Sequence, residues 1–180
     1  MTSAAYQAGC RAAMVKLGAS LDVPIHRQET KYSCGAAAVR QVLSYLGFSA
    51  KEPALRKALD TTSDDGTTPE SIVETLRSVP GTSVTAGTMT LQDLRDAVDN
   101  KQAVLIVMQA WSDAKHPDYT TDANGHYAVL RGYNKDQFTF SDPATNKPVT
   151  YHADELLKRW HDKGKTRRYV RYGIRVKKEG

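Results

Sequence analysis

The hydrophobic period of this chain changes along its length, and that change restricts it to folds built from two kinds of element. Ala37, Ala38, Val42, Leu43 and Leu46 recur at three- and four-residue steps, which predicts a helix from Cys34 to Tyr45 ended by Gly47. Thr68-Pro69 reads as a cap followed by a first helical residue, with Ile72, Val73 and Leu76 as the buried stripe. Thr90 opens a further helix whose inward residues are Leu91, Leu94 and Val98. Elsewhere the period is two or the apolar run is continuous, so Ser83–Ala86, Ala103–Ala110, His126–Tyr133, Gln137–Ser141 and Tyr169–Val176 are predicted strands. The polar connection Tyr133-Asn134-Lys135-Asp136-Gln137 predicts a hairpin, and Asp154–His161 a short helix crossing back before the last strand. N-terminal helices packed on a C-terminal antiparallel sheet make an α+β fold.

At 180 residues the chain is long enough for one core without a metal or disulfide staple. No repeat or linker divides it, so we read residues 1–20 as an N-terminal extension, helical or flexible, and residues 21–180 as a single domain. The two cysteines, Cys10 and Cys34, form neither a disulfide framework nor a zinc-spaced cluster. The longest apolar run, Ala103–Met108, is strand length, which excludes a membrane span. Ala8-Gly9-Cys10 ends like a lipoprotein signal, but no basic start or apolar stretch precedes it, and a cytoplasmic location is the expectation. Net charge is +5, and it belongs to the tail: ten Lys/Arg between Lys158 and Lys178 face only Asp162 and Glu179 in the last 25 residues. Because those basic residues alternate with Tyr169, Val170, Tyr172, Ile174 and Val176, they read as the solvated face of a strand and not as a nucleic-acid surface.

Cys34 falls in the first turn of a predicted helix, where unpaired backbone N–H groups and the positive dipole end favour a thiolate. A cysteine can equally be a small core residue. Gly35 after it allows close approach of backbone or substrate, and Tyr32-Ser33 before it is a polar entry. A thiolate nucleophile needs a base and a group to orient that base. Of the five histidines, His26, His116, His152 and His161 read as surface residues. His126 follows Asn124-Gly125 and opens a strand that would hold its ring at a sheet edge, with Gly125 leaving room for a substrate chain; a core histidine is the competing reading. Asp142 ends the strand paired by hairpin with that of His126, although Asp-Pro is also a common turn start. Gln28, upstream of Cys34, has the side-chain N–H to serve an oxyanion beside the backbone N–H of Cys34.

Three blocks then resemble a known family. Gln28-Glu-Thr-Lys-Tyr-Ser-Cys34-Gly35, Gly125-His126-Tyr127-Ala-Val-Leu-Arg-Gly132-Tyr133 and Phe140-Ser141-Asp142-Pro143 are similar to the signatures of papain-like cysteine peptidases related to the bacteriocin-processing, double-glycine leader peptidases. The resemblance runs from about Val23 to Trp160 and implies a papain-like peptidase domain. It casts Cys34 as nucleophile, His126 as base, Asp142 as its orienter and Gln28 as an oxyanion-hole donor, and it places Gly66, Thr67, Trp111 and Gly125 along the substrate cleft. Because the chain carries no transporter span and no phosphate-binding Gly-rich loop, the resemblance implies a stand-alone member and does not carry over double-glycine specificity. The expected activity is hydrolysis of a peptide or isopeptide bond in a peptide or protein substrate, with no cofactor. An acyltransferase using the same thioester and a non-catalytic peptide-binding module are the alternatives. The loop Asp113–Gly125 is the expected place of substrate selection.

Overall fold

The computed structural model describes residues 16–110 and 119–179. It begins with strand β1 (Gly18–Ser20) and an extended segment leading to helix α1 (Cys34–Tyr45). Next come α2 (Glu52–Ala58), α3 (Pro69–Arg77), β2 (Thr82–Thr88), α4 (Leu91–Asp99), β3 (Ala103–Gln109), β4 (Gly125–Asn134), β5 (Gln137–Ser141) and β6 (Val149–His152). The chain finishes with α5 (Ala153–Arg159), β7 (His161–Lys163), β8 (Arg168–Val170) and β9 (Tyr172–Lys178). Seven strands form one antiparallel sheet in the order β2-β9-β3-β4-β5-β6, with β1 paired to the end of β4; β7 and β8 form a separate two-stranded ribbon.

The expected α+β architecture is what forms. β3 is buried at every position, because it lies between β9 and β4 with both faces covered, which is why its sequence shows no alternation. Helix α1 packs on β3 and β4 through a face rich in small residues, with Ala36, Ala38, Val39 and Val42 fully buried. It ends where the sequence says it should. Gly47 takes φ +89°, the Gly47 N–H donates to the Ser44 carbonyl at 3.1 Å, and the Phe48 N–H donates to the Leu43 carbonyl at 2.8 Å. This pair of bonds closes the last carbonyls of the helix in a Schellman motif.

Several boundaries depart from the sequence reading. Residues 18–20, assigned to the N-terminal extension, are β1, held in the sheet by β4; residues 1–15 lie outside the described part. The strand read as Tyr169–Val176 is two strands, broken at Arg171, whose φ of +50° turns the chain between β8 and β9. The late helix stops at Arg159, and His161 belongs to β7. Helix α2 and strands β6 and β7 were not anticipated; α2 has Pro53 in its first turn, a start signal present in the sequence. No described helix is long and apolar enough to cross a membrane.

Candidate active site

Cys34 is the first residue of α1, half-buried and with a free thiol. Ser33 occupies the capping position but does not cap: its hydroxyl accepts the Thr30 N–H at 3.1 Å and donates back to the Thr30 carbonyl at 3.3 Å. No acidic residue lies in the first turn. The positive end of α1 is therefore left to act on the side chain that opens it.

β4 brings His126 to this helix start, at 3% exposure, where Cys34 acts on its ring. His126 Nε2 lies 2.7 Å from Asp142 Oδ1. Asp142 follows β5, the neighbour of β4, and the same oxygen accepts the Ala144 N–H at 2.8 Å. Burial acts to lower the His126 pKa, but its hydrogen bonds to Asp142 and Cys34, and the negative charge on both, outweigh burial and push it up to about 9. For Asp142, burial acts upward and is overcome by the His126 hydrogen bond and charge, the Ala144 N–H and the Arg159 cation, so the carboxyl is held below its ordinary value. Of the sequence-selected residues, His126 and Asp142 are thus joined by a hydrogen bond, with Cys34 near enough to act on the ring.

Gln28 reaches the same neighbourhood by a different route. Its backbone N–H donates to the Pro143 carbonyl at 2.9 Å, tying the segment before α1 to the turn that holds Asp142. One side-chain N–H donates to the Thr30 carbonyl at 2.7 Å, while Oε1 is buried without a partner. The side chain is therefore oriented by Thr30, with its second N–H uncommitted.

The glycines expected to leave room for substrate are filled by the protein itself. A Cβ at Gly35 would lie 2.6 Å from Thr67 Cβ and 2.7 Å from its Oγ1, and one at Gly125 would lie 2.5 Å from Asp162 Oδ2. Thr67 is buried; its hydroxyl pairs with Thr61 at 2.7 Å and its carbonyl accepts the Tyr127 hydroxyl at 2.8 Å. Gly66, at φ +66°, is half-buried and faces the Tyr32 carbonyl. Trp111, His116 and the first part of the Asp113–Gly125 loop, residues 113–118, fall outside the described residues. His161, read as a surface residue, is packed: its Nδ1 lies 2.7 Å from Asp122, which also pairs with Arg168.

Two supporting groups were missed. Arg159 is buried between the rings of Tyr119 and Tyr151, each 4.4 Å away, and is held by Glu155 and by the carbonyls of Gln109 and Ala110. Asp162 accepts the Gln109 side-chain N–H at 2.9 Å, and burial pushes its carboxyl up. Neither carries a local signal, since both act through segments far away in sequence. Among the described residues no three His, Cys, Asp or Glu side chains are grouped to hold a metal ion.

The sequence profile of the Peptidase_C39-like family matches residues 20–167. Similar folds occur in a crystal structure described as a C39-like peptidase from Bacillus anthracis, with 16% identity, TM-score 0.68 and coverage of 92% of this chain and 100% of that one. The peptidase domain of Streptococcus ComA, a bifunctional ABC transporter involved in quorum sensing, matches with 18% identity and TM-score 0.66 over 87% and 99% of the two chains. A double-glycine-motif protease from an AMS/PCAT transporter, solved with its leader peptide, matches with 18% identity and TM-score 0.62 over 89% and 94%. No curated protein matches this chain significantly. The profile match covers most of the chain and includes Cys34, His126 and Asp142, and on that ground the chain belongs to the Peptidase_C39-like family, the papain-like cysteine peptidases of this fold.

Proposed function

We propose that this chain hydrolyses amide bonds of a peptide or protein substrate through an acyl-thioester on Cys34. The observation that carries the reading is the Cys34–His126–Asp142 array, in which a partly exposed thiol at an uncapped helix start meets a histidine held by a buried carboxylate. The Cys34 sulfur attacks the scissile carbonyl, and the carbonyl electron pair moves to oxygen. That oxyanion is met by the backbone N–H of Cys34 and the uncommitted N–H of Gln28. Collapse of the tetrahedral state breaks the C–N bond as His126, held protonated up to about pH 9, gives its proton to the departing amine. Water then attacks the thioester with His126 as base, which releases the acid and restores the thiol. Asp142 fixes the ring and favours its charged form. A peptide partner accords with the leader peptide bound by the transporter protease of the same fold.

The test is incubation with a mixed peptide library followed by mass spectrometry of both products and protein. Cleaved peptides together with a transient acyl adduct on Cys34, and loss of both in Cys34→Ala, are expected. Cleavage that survives Cys34→Ala overturns the reading. Added amines that appear in the product in place of water would make it a transferase.

A further inference from the structure

The proposed nucleophile and base stand on different elements, α1 and β4, and their approach depends on those elements keeping a fixed separation. A buried connection runs beside the pair. Tyr127, the residue after His126, donates its hydroxyl to the Thr67 carbonyl at 2.8 Å, and the Thr67 side chain fills the space over Gly35, the residue after Cys34. Thr67 is pinned in turn by Thr61 at 2.7 Å. We propose that Tyr127, Thr67 and Gly35 are positioning residues, a brace that sets the distance between Cys34 and His126; the proposal rests on the peptidase reading of that pair.

Three features give the brace its stiffness. It is buried, with Tyr127 at 5% and Thr67 at 6% exposure, so water does not stand in for a lost partner. It has no slack at Gly35, where any side chain would have to displace Thr67 or lift the start of α1. It is also uncharged. Burial, with the carboxylates of Asp162 and Glu70 nearby, keeps the Tyr127 phenol well above its ordinary value. Tyr127→Phe therefore removes one hydrogen bond and no charge. The other charges near the pair, Asp142 and the Arg159 that acts on it, stand on elements the substitution does not touch.

The readout is the rate of Cys34 alkylation by iodoacetamide between pH 5 and 10, which needs no knowledge of the substrate. In wild type the peptidase reading expects the rate to persist below neutrality, with His126 protonated beside the sulfur. Tyr127→Phe should lower the rate at pH 6.5 by about ten- to a hundredfold while leaving that at pH 10 within about twofold, where the thiolate forms regardless. Gly35→Ala, acting on the other end, should move the same limb in the same direction, and the double variant should add little to either. Thr90→Ala, a cap distant from the pair, serves as the control for lost stability and should leave the profile unchanged. A wild-type pH profile in folded Tyr127→Phe and Gly35→Ala, or an equal shift in Thr90→Ala, overturns the brace. A wild-type protein with no reactivity below neutrality overturns the peptidase reading instead.

Discussion

Helices α1, α3 and α4 begin in two different ways. At α3 the Thr68 hydroxyl accepts the Ser71 N–H at 3.2 Å with Glu70 in the first turn, and at α4 Thr90 and Asp93 form a reciprocal capping box. Helix α1 has a serine in the same place, yet that hydroxyl is turned back onto Thr30, and among the described helices α1 alone has neither a side-chain cap nor a first-turn acid. Where a helix start serves only the fold, its N–H groups and dipole are neutralised locally. Where it carries Cys34, they are left uncompensated, as the nucleophile proposed for that position would use. A residue that looks like a cap in sequence is here part of the site.

Removing the groups that use this open start gives the largest effects. Cys34→Ala and His126→Ala should each lower kcat by about 10⁴-fold or more, because neither the attack nor the proton transfer has a substitute. Asp142→Ala should lose about 10²- to 10⁴-fold and Asp142→Asn less, since an amide oxygen still accepts from the ring. Steady-state rates on a cleaved library peptide check both, and an active His126→Ala would remove the base from the mechanism.

Next in size is Gln28. Loss of one oxyanion donor lowers kcat by roughly a hundred- to a thousandfold, about 3 to 4 kcal/mol, with ground-state binding little changed. Gln28→Ala should show that pattern, with Cys34 alkylation close to wild type. If alkylation falls in step with turnover, the side chain acts through Thr30 to hold the helix start rather than by meeting the oxyanion.

How much of this was legible follows the same division between local and distant chemistry. Thr68-Pro69, Thr90 and Gly47 announce their roles within a few residues, and each is found as read. The placement of the three candidate residues was legible because each stands beside its own marker: Cys34 at a helix start, His126 at a strand start, Asp142 before a proline at the end of the paired strand. Thr67 over Gly35, Asp162 against Gly125 and Arg159 behind Asp142 were not, since each contact joins segments whose meeting depends on the finished sheet. Ser33 was missed for the opposite reason. Its local pattern points to a cap, and the backbone of Thr30 competes successfully for the hydroxyl.

The charge state of the site gives a smaller and continuous effect. With His126 pushed up to about 9 from an ordinary 6.5, the imidazolium persists in the folded protein well above the pH at which it deprotonates in the unfolded chain. Its contribution to stability is complete below pH 6.5 and is lost as pH rises through 9. Turnover needs that proton for the leaving amine, so the alkaline limb of kcat should fall near pH 9, and Asp142→Ala should move it toward 6.5. Asp142 works in the reverse sense: its carboxyl is held low, and its contribution is lost as pH falls through that lowered value. A pH–rate profile and a set of melts across pH test both signs.

The smallest effects sharpen the comparison most, because they separate two hydroxyls that occupy the same position on different helices. Thr90→Ala removes a capping box and should cost about 1 kcal/mol of stability without changing kcat, since the Thr90 hydroxyl bonds only to Asp93 within its own cap. Ser33→Ala deletes the acceptor of the buried Thr30 N–H and should cost a similar amount, about 1 kcal/mol. Its consequence for catalysis should differ. The Thr30 carbonyl is also what orients the Gln28 side chain, at 2.7 Å, so a loosened Thr30 should release Gln28 and slow turnover several-fold. Urea unfolding and kcat measured on the two variants decide the matter: equal losses of stability with unequal losses of turnover are expected. If Ser33→Ala keeps full turnover, the hydroxyl's bond to Thr30 is only a substitute for the missing cap, and the open start of α1 has no link to the oxyanion donor.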